Sequence, residues 1–600
     1  SKGPPMTDAR YTPQSVNCQP QADGSLILTS RHTLGPVASS TGAWLHHWAD
    51  ATPDAVFIAE RSGAGWRELS YRETLQTVRA LGAWLLDQPG DGPVLVLSGN
   101  SVDHALVALA TQYVGRASVP VAEQYSLISG AHDRLVYIAE KVKPALLFVD
   151  DPARYGDALM LAQLAGIAVL ASTDAGAPRP VCTMAQALAQ GQGDVDQAHA
   201  AVGPDTVGKI LFTSGSTANP KGVITTHRMM CVNQTQIADA FPFLRQSPPK
   251  IVDWLPWNHV FGGSHNFNMM LANGGALYID DGKPIEALFG RTLENLSMHT
   301  GTLAFNVPVG FARLVAALRT DDDLRQRFFT GLDFTFYAGA SLPQETWAAL
   351  GEMATEVTGS VPLMVSSWGM TETAPAVLLT HERVNRSGIV GAPMNGTVVK
   401  LIPDDEGRYE CRVKGPNIMP GYLDEPEKTA ETFDADGFLI TGDAMRFVDP
   451  QNPDRGLAFD GRISEDFKLT SGTWVRVAAL RGQLMTALQG VAADIVITGH
   501  DRADLGVMIF PAIPVVGADG ACTDAALLAD IRARLAPLAA SATGSSTRVG
   551  RALVLIEAPS LIDQEMTAKG NLNLRKVLTR RAELVERLYR DTPDAAVVRL

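Results

Sequence analysis

The chain has 600 residues, 46% hydrophobic and 19% charged, a globular balance in a length that exceeds one compact core. A formal net charge of -14, with no long basic run interleaved with aromatics, argues against nucleic acid and anionic membrane as partners. Its five cysteines are scattered without CxxC spacing, which indicates neither a disulfide framework nor a zinc site.

In chain order, "TGAWLHHWADATPDAVFIAE" predicts an amphipathic helix around Trp44, Leu45 and Trp48, a turn at Thr52-Pro53-Asp54 and then a strand. "PVLVLSGN", "SVDHALVALATQYVG" and "ASVPV" predict strand, helix and strand, with Ser101 as the helix cap. That alternation implies a parallel sheet. It continues through "KPALLFVD", "GIAVLAS", "KILFTSG", "IVDWLPW" and "GALYID". Met229-Met230 and Met269-Met270 read as core filler, and Asp321-Asp322-Asp323 as a solvated helix N-terminus.

Pro450, Pro453, Gly456 and Gly461 cluster among aspartates in "FVDPQNPDRGLAFDGRISEDF", which places a boundary near Ser464. The expected domains are 1–463, an α/β domain with mostly parallel sheets flanked by helices, and 464–600, a small mobile α+β lid. In the second, "ADIVITG", "LGVMIFPAI" and "RALVLIEAP" predict strands, and "TDAALLADIRARLAP" and "LRKVLTRRAELVERLY" one helix each. No stretch of about 18 apolar residues offers a membrane span and no secretory apolar core opens the sequence, so a cytoplasmic protein is expected.

The stretch "ILFTSGSTANPKG", Ile210 to Gly222, supplies hydroxyls, backbone N–H groups and a lysine suited to phosphate oxygens. Pro220 before Lys221 and Gly222 after it break the P-loop spacing, which argues against a Walker-type ATPase. A serine hydrolase is disfavoured too, because Gly339-Ala340-Ser341-Leu342-Pro343 lacks the last glycine of GxSxG. Downstream lie "PWNHVFGG", "YAGASLP", "SSWGMTETAP", "FLITGDAMRF", "GRISEDFKL" and "MTAKGNLNLRK".

In this order the motifs resemble the adenylate-forming superfamily of acyl- and aryl-CoA synthetases, over nearly the whole chain. Within it, "LSGNSVDHALVALA", "LPWNHVFGG" and "TAKGNLN" are most similar to feruloyl-CoA synthetases. The resemblance implies a carboxylic acid–CoA ligase that uses ATP, magnesium and coenzyme A and proceeds through an acyl-adenylate. The acid would be a hydroxycinnamate, the alternative a medium- or long-chain fatty acid. It implies that Thr213, Ser214, Gly215, Ser216, Thr217 and Lys221 wrap the β- and γ-phosphates, and that Thr217 and Glu372 hold magnesium. Gly339, Ala340 and Ser341 would wall the adenine, with Trp368 on the base and Gly369, Met370 and Thr371 beside the nucleotide. Asp443 and Arg462 would contact the ribose, and His259 would serve the acid side. Lys569 would approach the α-phosphate during adenylation, and Lys468 would approach only after the lid rotates for thioester formation. Ala218 stands where a glycine is common, Ser464 where a basic residue is common, and Asn571 where many relatives carry the adenylation lysine.

Overall fold

A computed structural model describes residues 10–213, 219–338, 342–405, 407–560, 563–566 and 571–600. Two compact units divide the chain. The first comprises Ser1–Ile402, Arg412–Thr441 and Phe447–Ala458, the second Pro403–Cys411, Gly442–Arg446 and Phe459–Leu600. The second unit thus begins its continuous stretch at Phe459, and also takes in two short pieces from upstream strands.

In the first unit the alternating pattern folds as its periods require. Ser101 caps the helix Val102–Tyr113 by accepting the His104 N–H at 3.0 Å, and the flanking strands Val94–Leu97 and Ser118–Pro120 pair in parallel. They belong to a seven-stranded sheet ordered Lys221–Thr226, Val207–Thr213, Ser118–Pro120, Val94–Leu97, Leu146–Val149, Ala168–Ala171 and Cys182–Thr183. Its only antiparallel pairing joins the first two strands, the segments on either side of the hydroxyl-rich loop. A four-stranded sheet sets Lys250–Asp253, Ala276–Ile279 and Val56–Ser62 in parallel, with Gly65–Ser70 antiparallel at its edge.

The third sheet has eleven strands and departs from the mostly parallel expectation. Leu303–Asn306, Phe334–Tyr337 and Leu363–Gly369 are parallel, but Ala376–Leu379 and Ile389–Pro393 continue it antiparallel. The chain reverses there through a short turn after Gly369, with no crossover helix of the kind a parallel pairing requires. The core includes Phe57, Tyr71, Trp84, Phe148, Phe334 and Phe336, each contributing about 1.5–3 kcal/mol through burial. Tyr71 keeps its hydroxyl satisfied inside by donating to the carbonyls of Met270 and Gly275. The paired methionines are buried in this core or beside it, and Asp321 caps the helix Asp322–Phe329 through the Leu324 N–H at 3.0 Å.

In the second unit Ala492–Thr498, Leu505–Pro511, Val549–Val554 and Val597–Arg599 form a four-stranded sheet, with the helix Ala525–Ser541 packed on its core. The last expected helix is instead two, Leu574–Arg580 and Ala582–Leu588. Arg581 stands between them, its buried guanidinium donating to both carboxylate oxygens of Glu565, at 2.8 Å each, and to the carbonyls of Glu557 and Ala558. Another buried arginine, Arg408, pairs with Asp466 and Asp404 at 2.8 Å each and donates to the Asp460 carbonyl. Among the described residues no helix is long and apolar enough to cross a membrane.

Candidate functional site

In the first unit, the strand Val207–Thr213 delivers Thr213 to the start of the hydroxyl-rich loop, and Lys221 on the returning strand sits opposite it in register. Ser214, Gly215, Ser216 and Thr217 lie outside the described residues. The Lys221 ammonium is 4.6 Å from the Tyr422 ring centroid, a cation–π contact. Tyr422 in turn donates its hydroxyl to Oε1 of Glu372 at 2.9 Å. Burial, and then the Glu372 charge, hold the Tyr422 phenol well above its ordinary value, so it remains a donor. The pairing joins the lysine of the hydroxyl-rich loop to the carboxylate expected at the metal. A buried carboxylate oriented by a phenol is the hard oxygen donor that magnesium takes alongside phosphate oxygens, so Glu372 fits a magnesium–triphosphate.

Trp368 and Gly369 end the strand Leu363–Gly369, paired with Leu378 and Ala376. A side chain at Gly369 would collide with the Pro375 carbonyl, so glycine is required where the chain turns. Trp368 is largely buried. Met370 and the turn Thr371–Thr373 follow, closed by the Met370 N–H donating to Thr373 Oγ1 at 2.9 Å, and Glu372 lies in this turn. Its carbonyl accepts from the Met419 N–H at 2.9 Å, which ties the turn to the segment before Tyr422. Gly339, Ala340 and Ser341 are outside the described residues.

His259, expected to serve the acid, is half-buried and its carbonyl accepts the Gly263 N–H at 2.9 Å. The chain then enters a π-helical turn, Phe261–Asn266, of the wide kind that marks functional sites in many helices. Side chains at Gly262 or Gly263 would strike the carbonyls of Leu255 and Trp257. Lys209, fully buried on the strand leading to Thr213, donates to the Gly263 carbonyl at 2.7 Å and to Ser264 Oγ at 3.3 Å. Burial alone lowers its ammonium to about 7, and among the described residues no carboxylate pairs with it. Gln234 holds the Ser264 and His265 carbonyls at 3.2 Å each. Asn266 donates to Asp253 Oδ2 at 3.0 Å, and burial raises the Asp253 carboxyl to about 7.

Sequence reasoning passes over Tyr422, His265 and Lys209. A lone lysine inside the apolar run "KILFT" is the one available signal among them, since buried lysine is rare without a purpose.

Asp443 and Arg462 lie in the second unit, 3.8 Å apart between Oδ1 and Nε. Lys468 is also there, exposed, with its ammonium 4.9 Å from the Trp474 ring centroid. Lys569 is outside the described residues, two positions before Asn571.

Comparison with known proteins gives a consistent picture. The long-chain-fatty-acid–CoA ligase of Salmonella typhimurium is 30% identical over 349 residues, which span 56% of this chain and 58% of that one. The carboxylic acid reductase of Mycobacterium marinum is 26% identical across 87% of this chain and 46% of its own length. The chain therefore spans about half the length of these relatives. In fold it matches an anthranilate CoA ligase solved with anthranoyl-AMP, at a TM-score of 0.74 and 18% identity over 92% of this chain and 99% of that one. The family model described as AMP-binding enzyme matches residues 45–423, and the chain belongs to that family.

Proposed function

We propose that this protein is an ATP-dependent carboxylic acid–CoA ligase that acts through an acyl-adenylate and prefers hydroxycinnamates such as ferulate and 4-coumarate. The buried Glu372 carboxylate, oriented by Tyr422 beside Lys221, carries the reading. In the first step a carboxylate oxygen attacks the α-phosphorus of ATP, and the bond to the β-phosphate oxygen breaks to release pyrophosphate. In the second the thiol of coenzyme A loses its proton, sulfur attacks the acyl carbonyl, and AMP departs with the electron pair of the broken C–O bond.

The first step brings two anions together, and unit charges about 4 Å apart repel by roughly 4 kcal/mol at an effective dielectric of 20. Lys221 and the backbone of Thr213–Lys221 offset that on the pyrophosphate side, and Lys569 does so at the α-phosphate. Magnesium bound at Glu372 and Thr217 would neutralise phosphate charge. Asp443 accepts from the ribose hydroxyls with Arg462 beside it, Trp368 meets adenine, and His259 serves the acid. Five scattered cysteines without CxxC spacing suit a reducing cytoplasm.

Support for an aryl acid comes from the rings of Phe261, Phe305 and Phe336 gathered next to the His259 turn. The names of the long-chain relatives favour a fatty acid as the second reading. A panel of ferulate, 4-coumarate, octanoate and palmitate, scored by AMP and thioester formation, separates the two. Higher kcat/KM for the alkyl acids overturns the hydroxycinnamate preference, and absence of AMP formation with every acid overturns the ligase reading.

A further inference from the structure

His265 is 1% exposed and is enclosed by aromatic rings, with centroids 4.7 Å from Phe336, 5.6 Å from Phe305 and 5.8 Å from Phe261. Phe305 and Phe336 are each the third of four residues in parallel strands, Leu303–Asn306 and Phe334–Tyr337. They therefore stand at the carboxyl ends of those strands, the edge at which open α/β sheets bind their ligands. The π-helical turn bearing His265 begins two residues after His259.

A relay of hydrogen bonds sets the state of this histidine. Leu255 donates its N–H to Asp253 Oδ1 at 3.3 Å, and Asp253 Oδ2 accepts from Asn266 Nδ2 at 3.0 Å. With its amide nitrogen committed to the carboxylate, Asn266 presents Oδ1 to His265 Nδ1 at 2.8 Å. An oxygen at that distance requires the proton on Nδ1. Nε2 is then an acceptor without a proton, and it is buried with no hydrogen-bond partner. Leaving a buried acceptor unmatched is costly, so such an atom demands a reason. Burial keeps the ring neutral at physiological pH by lowering its pKa to about 4.

We propose that His265 is a specificity-determining residue whose Nε2 accepts a hydrogen bond from a hydroxyl at the far end of the acid, so that the enzyme selects acids with a distal O–H. This rests on the hydroxycinnamate reading and sharpens it: the site reads a donor. A ring that ends in hydrogen leaves Nε2 unmatched, and one that ends in a methyl ether offers only another acceptor and extra bulk. Pockets built to bond a hydroxyl discriminate strongly against analogues that lack it.

The test compares kcat/KM for pyrophosphate release with 4-coumarate, cinnamate and 4-methoxycinnamate, in the parent chain, His265→Phe and Asp253→Asn, with octanoate and palmitate alongside. The parent should favour 4-coumarate over the other two cinnamates by at least about 50-fold, and His265→Phe should narrow that ratio to within about 3-fold, mainly through KM for 4-coumarate. Asp253→Asn is the second, sterically conservative probe. The Leu255 N–H keeps the amide oxygen of the new residue, its NH2 then faces Asn266, the Asn266 amide reverses, and the His265 proton moves to Nε2. The preference should therefore shift toward the methyl ether, an outcome that mere loosening of the fold does not produce. Discrimination below about 3-fold in the parent, or a parental ratio preserved in both variants, overturns the assignment of His265 while leaving an aryl ligase intact. Higher kcat/KM for octanoate or palmitate than for all three cinnamates overturns the hydroxycinnamate reading and this proposal with it.

Discussion

The Tyr422 hydroxyl donates to Glu372 Oε1 at 2.9 Å, and the same tyrosine ring carries the Lys221 ammonium at 4.6 Å. One phenol thus orients a carboxylate through its O–H and a cation through its face. Glu372→Gln should lower adenylate formation by about 10²-fold or more, with a raised requirement for magnesium. Tyr422→Phe keeps the ring and loses the O–H, so it should cost about 10-fold, chiefly in magnesium–ATP dependence. Metal titrations of pyrophosphate release in both variants check this, and unchanged titrations would make the pair structural.

The two lysines assigned to different steps should fail separately. Lys569→Ala should abolish adenylate formation from acid and ATP yet convert synthetic acyl-adenylate and coenzyme A to thioester. Lys468→Ala should show the opposite bias. Each half-reaction is measured alone, with Asn571→Lys in parallel, and adenylation at the parental rate in Lys569→Ala would refute the assignment.

Lys209 gives stability a defined pH dependence. Its folded value is about 7, against about 10.4 in an unfolded chain, so between those values the folded state binds fewer protons. This position's contribution is complete above the unfolded value and is lost as pH falls toward 7. Lys209→Met removes that loss, so the melting temperature of the variant minus that of the parent should rise by a few degrees as pH is lowered from about 10 to about 7. A difference independent of pH would show an ammonium less affected by burial.

Arg408 should be a point of failure for the second unit. Its side chain is 1% exposed and that of its partner Asp466 is 2% exposed. Arg408→Ala leaves the buried Asp466 carboxylate with Arg476, at 3.2 Å, as its remaining cation and should destabilise the unit by about 3 kcal/mol, whereas Arg408→Met combined with Asp466→Leu should recover part of that. Denaturant melts of the three chains decide between this and a weak surface-like pair.

Much of the architecture is legible in the sequence because it rests on local periodicity. The run from Val94 to Pro120 alternates strand and helix periods and carries its own cap, and nothing distant competes with it. Arg581 shows where that legibility stops: the residue sits in a helical pattern, yet it divides two helices and its guanidinium is held by Glu565, which the pattern does not reveal. The candidate site divides in the same way. Glu372, Lys221 and His259 stand in motifs that can be read in order, whereas Tyr422 is defined by what it touches, 50 residues downstream of Glu372. The state of His265 depends on which end of its amide Asn266 turns toward it, and that is settled by a carboxylate on another element.

Gly262 and Gly263 bring the backbone against the carbonyls of Leu255 and Trp257 with no room for a single added carbon. The π-helical turn therefore has one path through this region, and mutation cannot widen or reroute it without losing the fold of the segment. On the proposed ligase reading, any change in the range of acids accepted by descendants of this chain has to be written in side chains at fixed stations, with residues 261 and 265 and the strand ends at 305 and 336 the available letters. Drift in substrate choice should then leave the glycines untouched and accumulate at those four positions.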